Sequence, residues 1–452
     1  MELSNYHKLL IFHVFLGAAI FVFRPLATLY FFIITIFFSY KILMVSKKNK
    51  SFYVLLACAY IVGIEVFLRM NNGTFFYEAI KYLVIIFILM DMFSSSFNSG
   101  ALVYVIYICL LIPGIFVAFT NMGFDTDIRK AVAFNLSGPV CLGISAIFCY
   151  RRKVSFKQLK MVLTTFVLPL VSTMVYLFLY TPDLQSAITG TESNFAASGG
   201  FGPNQVATVL GIGMFALAAR FFMSRGNILL KYLDLLLLGL MGFRAIVTFS
   251  RGGVFTALIM IVVFIAIYYF KVNTKSRRTV LRSIFVFLGI ALFTWMISSI
   301  QTSGFIDKRY ANQDAAGRDK QDLTTGRTDL VTFEINEFVN HPFLGIGVGK
   351  VKEVRLYETG ILAASHNEIS RIVAEHGLLG IFAFLILLFT PLILRTKDRS
   401  NLFFYSFYLF WLLTINHSAM RIAAPAFLYG LCLLNITYEK NPVHRKPVIT
   451  KR

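Results

Sequence analysis

The chain has 452 residues, 57% of them apolar, 16% aromatic and only 14% charged, with a mean hydropathy of +0.72. No soluble domain of this length hides that much apolar surface, so the bilayer is the solvent for most of it. The net charge of +21 does not point to nucleic acid, because no basic stripe interleaves with aromatics on a soluble module; it reads as basic residues kept on the cytoplasmic side.

Apolar segments follow in chain order near residues 9–23, 26–45, 52–68, 75–92, 101–120, 131–149, 158–180, 204–223, 228–248, 254–270, 283–300, 378–394, 401–417 and 422–437. Each is about long enough to cross roughly 30 Å of hydrocarbon at about 1.5 Å per residue, the first and last being short. Fourteen spans result. Twelve is the alternative, because the first pair is joined only by Arg24 and Pro25 and reads equally as a re-entrant hairpin. The expected fold is an all-α polytopic membrane helix bundle. Residues 1–300 hold the first eleven spans, 301–377 a large outer loop, 378–440 the C-terminal spans and 441–452 a basic tail. No cleavable signal peptide is expected, since the first apolar run leads into the second without a small-residue site. Cys58, Cys109, Cys141, Cys149 and Cys432 all lie in apolar segments, as small core residues and not as a disulfide or metal framework.

Orientation follows from the loops. Lys47, Lys48 and Lys50 share one side with Arg151, Arg152, Lys153, Lys157 and Lys160. The run from Lys271 to Arg282, the group Arg395, Lys397 and Arg399, and the tail join them. The positive-inside rule makes that face cytoplasmic, with both termini on it. The other face receives 181–203, the turn "TFSRGG" and residues 301–376, where nine Lys/Arg meet eleven Asp/Glu.

The loop of about 76 residues is too long for a bare connection. It begins with a polar strap. Then Val331, Ile335, Phe338 and Val339 recur at helical spacing in "TDLVTFEINEFVNHPFLG", an amphipathic helix that His341-Pro342 ends. The turn "GIGVGK" follows. It lacks the G-x-x-x-x-G-K-[ST] spacing of a nucleotide loop. In "ASHNEISRIVAEHGLLG", Ser365 and Glu368 match a capping box, which puts Ser365 at the N-cap and His366 and Asn367 in the first turn. Gly377 is placed to close or bend this helix. Two amphipathic helices on the outer membrane surface are therefore expected.

A histidine at a helix start stays neutral and able to take a proton, and the helix end favours phosphate. The bland reading is a solvated surface histidine. Other residues weigh against it. Arg251 stands on a turn whose Gly252 and Gly253 allow a ligand close to the backbone. Arg327 sits where the first outer helix starts, and Arg371 about one turn beyond Asn367. Three guanidiniums near one membrane face suit a diphosphate, since each matches phosphate oxygens with a planar fork. Arg244, about two turns before Arg251, is a candidate for the same cavity, as is Asn204 in "GPNQVA". Glu65, Glu78, Lys81, Lys231 and Asp234 lie inside apolar segments, where they pair or line a cavity. No D-x-D or clustered His/Asp pattern calls for a metal, and no cofactor is indicated.

The order "GPNQVA", "FSRGG", "GR…HPFLGIGVG", "SHNEISRIVAEHGLLG", over about residues 200–390, resembles the bacterial O-antigen ligase and O-antigen polymerase superfamily. These are membrane glycosyltransferases that use undecaprenyl-diphosphate-linked sugars. The resemblance implies a glycosyltransferase C-type fold and a periplasmic active site between outer loop and bundle, in a bacterial inner membrane. It makes His366 the essential histidine, matches Glu375 and Gly377 to an "E-x-G", and makes Arg251 and Arg327 the essential arginines. Asn367, Arg371, Asn204, Arg244 and Glu375 are the expected substrate-binding residues, with no metal. The implied partners are an undecaprenyl-diphosphate glycan and either lipid A core or a second lipid-linked glycan. A polysaccharide exporter is the reading from another class, to which the intramembrane charges would belong; a non-catalytic scaffold is a third.

Overall fold

The computed structural model describes residues 6–93, 98–123, 126–223, 228–320, 326–360 and 363–438; the basic tail expected over 441–452 lies outside them. The first half consists of α1 (Tyr6–Val22), α2 (Leu26–Met44), α3 (Lys47–Met70), α4 (Ala79–Met92), α5 (Leu102–Asn121), α6 (Ile128–Cys149) and α7 (Phe156–Tyr180). A single turn, α8 (Leu184–Ala187), precedes α9 (Pro203–Met223), α10 (Ile228–Ile246), α11 (Arg251–Lys271) and α12 (Thr274–Gln301). The outer segment holds α13 (Phe305–Tyr310), α14 (Arg327–Asn340) and α15 (Lys350–Thr359), and α16 (Glu368–Lys397), α17 (Phe404–His417) and α18 (Ala424–Cys432) follow. The chain is an all-α polytopic membrane bundle.

Among the described residues, nine helices are long and apolar enough to cross a membrane: α2, α3, α5 with its preceding turn, α6, α7, α9, α11, α12 and α16. The 19-residue α10 carries three charges, Lys231, Asp234 and Arg244. α3, α7 and α9 are buried almost all round and form the centre; the chain-long apolar faces of α2 and α12 look outward. A helix buried on every side needs apolar residues on every side, and these sequences supply them. The final expected span ends early. α18 has 9 residues, about 14 Å at 1.5 Å per residue, and Asn435–Thr437 then forms a strand, β2, parallel to β1 (Lys153–Ser155).

The basic loops converge, as the charge pattern requires. β2 pairs with the loop carrying Arg151 to Lys153. Arg152 bonds Asp91 at 2.9 Å, Ser51 donates to the same Asp91 at 2.6 Å, and Lys271 donates to the Arg399 carbonyl at 3.3 Å. Three of the five charges expected inside apolar segments, Glu65, Asp234 and Lys81, find internal partners. Glu65 and Arg69 lie 2.6 Å apart, Asp234 accepts from Arg220 at 3.3 Å, and Lys81 donates to Ser137 at 3.1 Å. Such pairs satisfy groups that hydrocarbon cannot.

The outer segment departs from expectation in two ways. It holds α13 and α15 besides the two expected helices. And α14 turns its apolar stripe outward: Ile335 is 49% and Val339 67% exposed, whereas Glu334 and Glu337 are buried. The reason is the ion pair of Glu334 with Arg355 of α15 at 2.8 Å, joined by a bond from Ser370 of α16 to the other Glu334 oxygen. The carboxylate is drawn in because its partners are there, and the apolar edge, with Phe343 and Leu344 beyond it, is left exposed.

Candidate active site

Residue 367, and not 365, caps α16. Asn367 Oδ1 accepts from the Ile369 and Ser370 amides at 2.8 and 3.3 Å. Ser365 Oγ is already engaged, accepting from the Asn367 amide at 3.2 Å and donating to its carbonyl at 2.8 Å. Glu368 does not reach back to complete a box, because Arg371 holds it. Both residues are good caps by chemistry; the turn closed by Ser365 decides for the second. His366 therefore stands one residue before the cap, outside the helix.

The imidazole is half-buried, and its Nδ1, itself buried, has no hydrogen-bond partner. It faces a cavity of about 230 Å³ whose walls include Arg327, Glu334, Ser365, Asn367 and Asn416. Burial first, then the positive charges of Arg421 and Arg327, pushes its pKa from 6.5 down to about 4. The helix end contributes through geometry and not through an open amide, since Asn367 occupies the first amides.

Arg327 is the first residue of α14, entered through Gly326 at φ 76°. Burial lowers its pKa, and the charges of Arg309, Arg251 and Arg421 lower it further. Among the described residues no carboxylate pairs with it. Arg327 thus stands among other guanidiniums, of which Arg309 is paired with Glu192 at 3.4 Å. Such an arrangement is costly unless an anion is to be held there.

Arg251 is the first residue of α11. It does not line the cavity wall with His366; it acts on Arg327 from beside it. Its Nη1 donates to Asn312 Oδ1 and to the Arg309 carbonyl at 3.4 Å, which ties it to the strap after α13. Asn204 fixes this turn from α9 by accepting from Ser250 Oγ at 2.7 Å. The two glycines serve packing. A Cβ on Gly252 would meet the His417 ring at 2.6 Å, and one on Gly253 the Ala207 backbone at 2.6 Å. The close approach they allow is by α17 and α9, not by a ligand.

The remaining expected residues lie in the frame around the cavity. Arg371 is buried between Glu368 and Glu375 and bonds both. Glu375 also accepts from the Gly349 amide at 2.9 Å. With the Ile346 amide on the Ala374 carbonyl at 3.0 Å, this seats the "GIGVG" turn against the break in α16. That break is Gly377, at φ 60° and ψ −139°, a conformation that suits glycine. Arg244 donates to the Ala197 carbonyl at 2.9 Å and to that of Thr181 at 3.5 Å, so it braces the 181–198 segment. Sequence reasoning missed Arg421, Arg309 and Asn416. Arg421 donates to the Ser365 carbonyl at 2.8 Å, and Asn416 accepts from Asn367 Nδ2 at 3.3 Å.

A lowered imidazole pKa sets a pH dependence. His366 is neutral, and able to accept a proton, at every pH well above 4. The acid limb of kcat/KM is therefore expected near pH 4, with the rate at pH 5.5 close to that at pH 7; a limb at 6 to 7 would contradict the buried setting. Stability follows the same sign. Between pH 6.5 and 4 the unfolded chain takes up a proton that the folded ring refuses, so stability falls as pH falls through that window.

Residues 236–385 match the family model described as O-antigen ligase. The matched region runs from within α10 to within α16 and contains Arg244, Arg251, Arg327, His366, Asn367, Arg371 and Glu375, but not Asn204, Asn416 or Arg421. No curated protein matches the chain.

Proposed function

We propose, from the match of residues 236–385 to the family model described as O-antigen ligase, that the chain is an O-antigen ligase or polymerase that moves a glycan from undecaprenyl diphosphate to an acceptor hydroxyl. The observation that carries this reading is one cavity lined by both His366, whose Nδ1 has no hydrogen-bond partner, and Arg327, which pairs with no carboxylate among the described residues. In this reading His366 removes the proton of the acceptor hydroxyl. The oxygen attacks the anomeric carbon from the face opposite the leaving group, forming the new glycosidic bond with inversion. The bond to the diphosphate oxygen breaks and its electron pair leaves with the diphosphate. Arg327 and Arg251 stabilise that charge, which is the work a metal would otherwise do.

The donor enters laterally from the outer leaflet, and the site faces the periplasm of an inner-membrane protein whose termini are cytoplasmic. Residues 301–377 form the catalytic loop, 1–300 and 378–440 the bundle that seats the lipid. The acceptor is lipid A core, which makes the enzyme a ligase; a second lipid-linked repeat as acceptor would make it a polymerase. The test is purified protein in proteoliposomes, with lipid-linked glycan, EDTA and both acceptors in competition. Glycan on lipid A core supports the ligase. Elongated lipid-linked glycan supports the polymerase. Glycan moved across the bilayer with no new glycosidic bond would replace both by an exporter.

A further inference from the structure

The link between α17 and α18 lies beyond the matched region, yet it is held from three sides. The Met420 amide donates to Glu368 Oε2 at 3.3 Å. The Arg421 carbonyl accepts from Arg69 Nη1 at 2.9 Å, and the Ala423 amide donates to Glu65 Oε2 at 2.7 Å. Glu65 and Arg69 are a buried ion pair on α3. A buried pair is costly unless its remaining donors and acceptors are satisfied, and here the main chain of 421 and 423 takes up Arg69 Nη1 and Glu65 Oε2, while Arg69 Nε stays without a hydrogen-bond partner among the described residues. Ala419, just before, is held at φ 49°, a left-handed conformation unfavourable for alanine.

This clamp aims one guanidinium. Arg421 Nη2 donates to the carbonyls of Ala364 and Ser365, at 3.4 and 2.8 Å, the two residues immediately before His366. Asn367 fixes the chain on the other side. The Nδ1 of the ring has no partner of its own, so the backbone on either side orients it. Arg421 has no ion pair among the described residues. Around the ring, Arg355 is paired with Glu334 and Arg371 with Glu368, and His417 bonds the Leu413 carbonyl at 2.9 Å. Arg421, with Glu368 near it, and Arg327 are the charges acting on it that form no ion pair among the described residues.

We propose that Arg421, clamped by Glu65 and Arg69 of α3, is a positioning residue that orients the His366 imidazole toward the reacting hydroxyl. The inference rests on the reading of His366 as the base. One guanidinium nitrogen, Nη2, holds two successive carbonyls, and the charge adds to burial in disfavouring protonation of the ring; these are separable functions.

The experiment compares wild type, His366→Ala, Arg421→Lys and Arg421→Gln in the proteoliposome transfer assay, with kcat, donor KM and the acid limb measured for each. Loss of transfer in His366→Ala establishes the base; retained transfer there overturns the reading beneath this inference and is distinguishable from its own failure. Arg421→Lys keeps the charge and loses the reach and fixed direction of Nη2. Its kcat is expected to fall about tenfold or more with donor KM within about threefold and the acid limb unmoved. Arg421→Gln is expected to show the same fall and an acid limb about one pH unit higher. Unchanged kcat in the lysine variant, or a loss carried by KM, would overturn the proposal; the latter would make Arg421 a diphosphate ligand. So would an unmoved acid limb in the glutamine variant. If the glutamine variant fails to fold, the lysine variant decides alone.

Discussion

His366→Ala is expected to lower glycan transfer by about 10²- to 10⁴-fold, the range that a positioned general base supplies. The protein should remain folded. The ring gives its neighbours no hydrogen bond through Nδ1, and it borders a cavity, so its removal leaves few groups stranded. Transfer on proteoliposomes, set beside the melting temperature of the same preparation, checks both halves. Transfer within about tenfold of wild type would remove the base assignment. Equal loss of transfer and of fold would make the histidine structural.

Arg327→Lys is expected to cost about 10²- to 10³-fold, the usual effect of removing one donor aimed at developing charge. A lysine keeps the charge but replaces the fork with a point, so the loss should appear in kcat more than in donor KM. No carboxylate pairs with Arg327 among the described residues, so no ion pair among them is lost with the guanidinium. Arg251→Lys should also be severely impaired, for a mixed reason. The fork is lost toward the diphosphate, and so is its hold on Asn312 and the Arg309 carbonyl. Full activity in the Arg251 variant would mean that this arginine only anchors the strap. Full activity in the Arg327 variant would take the leaving group elsewhere.

The bundle was legible because hydropathy is a long-range average. Twenty apolar residues in a row leave the chain one choice in a bilayer, and each expected segment contains a helix. Charge asymmetry among the loops was equally robust, and β1, β2, Asp91 and Lys271 gather those loops together. What failed was local choice among near-equals. Ser365 and Asn367 are both good caps, and only the hydrogen bond that occupies Ser365 decides between them. Periodicity placed Ile335 and Val339 on one face but did not say which way it looks; that depended on Arg355, about twenty residues on, drawing Glu334 inward. Gly252 and Gly253 signalled close approach correctly and named the wrong visitor, because contact with His417 is invisible at a separation of 165 positions. Arg371 looked free only because Glu368 and Glu375, on its own helix face, were assigned other roles. Arg421 gave one weak signal, an arginine between two short apolar helices, which snorkelling explains as well. Its clamp on α3 lies some 350 residues away along the chain.

The central claim is that imidazole and guanidinium share one diphosphate site. Acylation of His366 by diethyl pyrocarbonate, followed peptide by peptide by mass spectrometry, tests it most directly, since the ring is neutral and reactive at pH 7. Undecaprenyl diphosphate should slow labelling of His366 in the wild-type protein and fail to slow it in Arg327→Gln. Labelling of His366 at the same rate with and without the lipid diphosphate, in a protein that binds that lipid, would contradict the shared site.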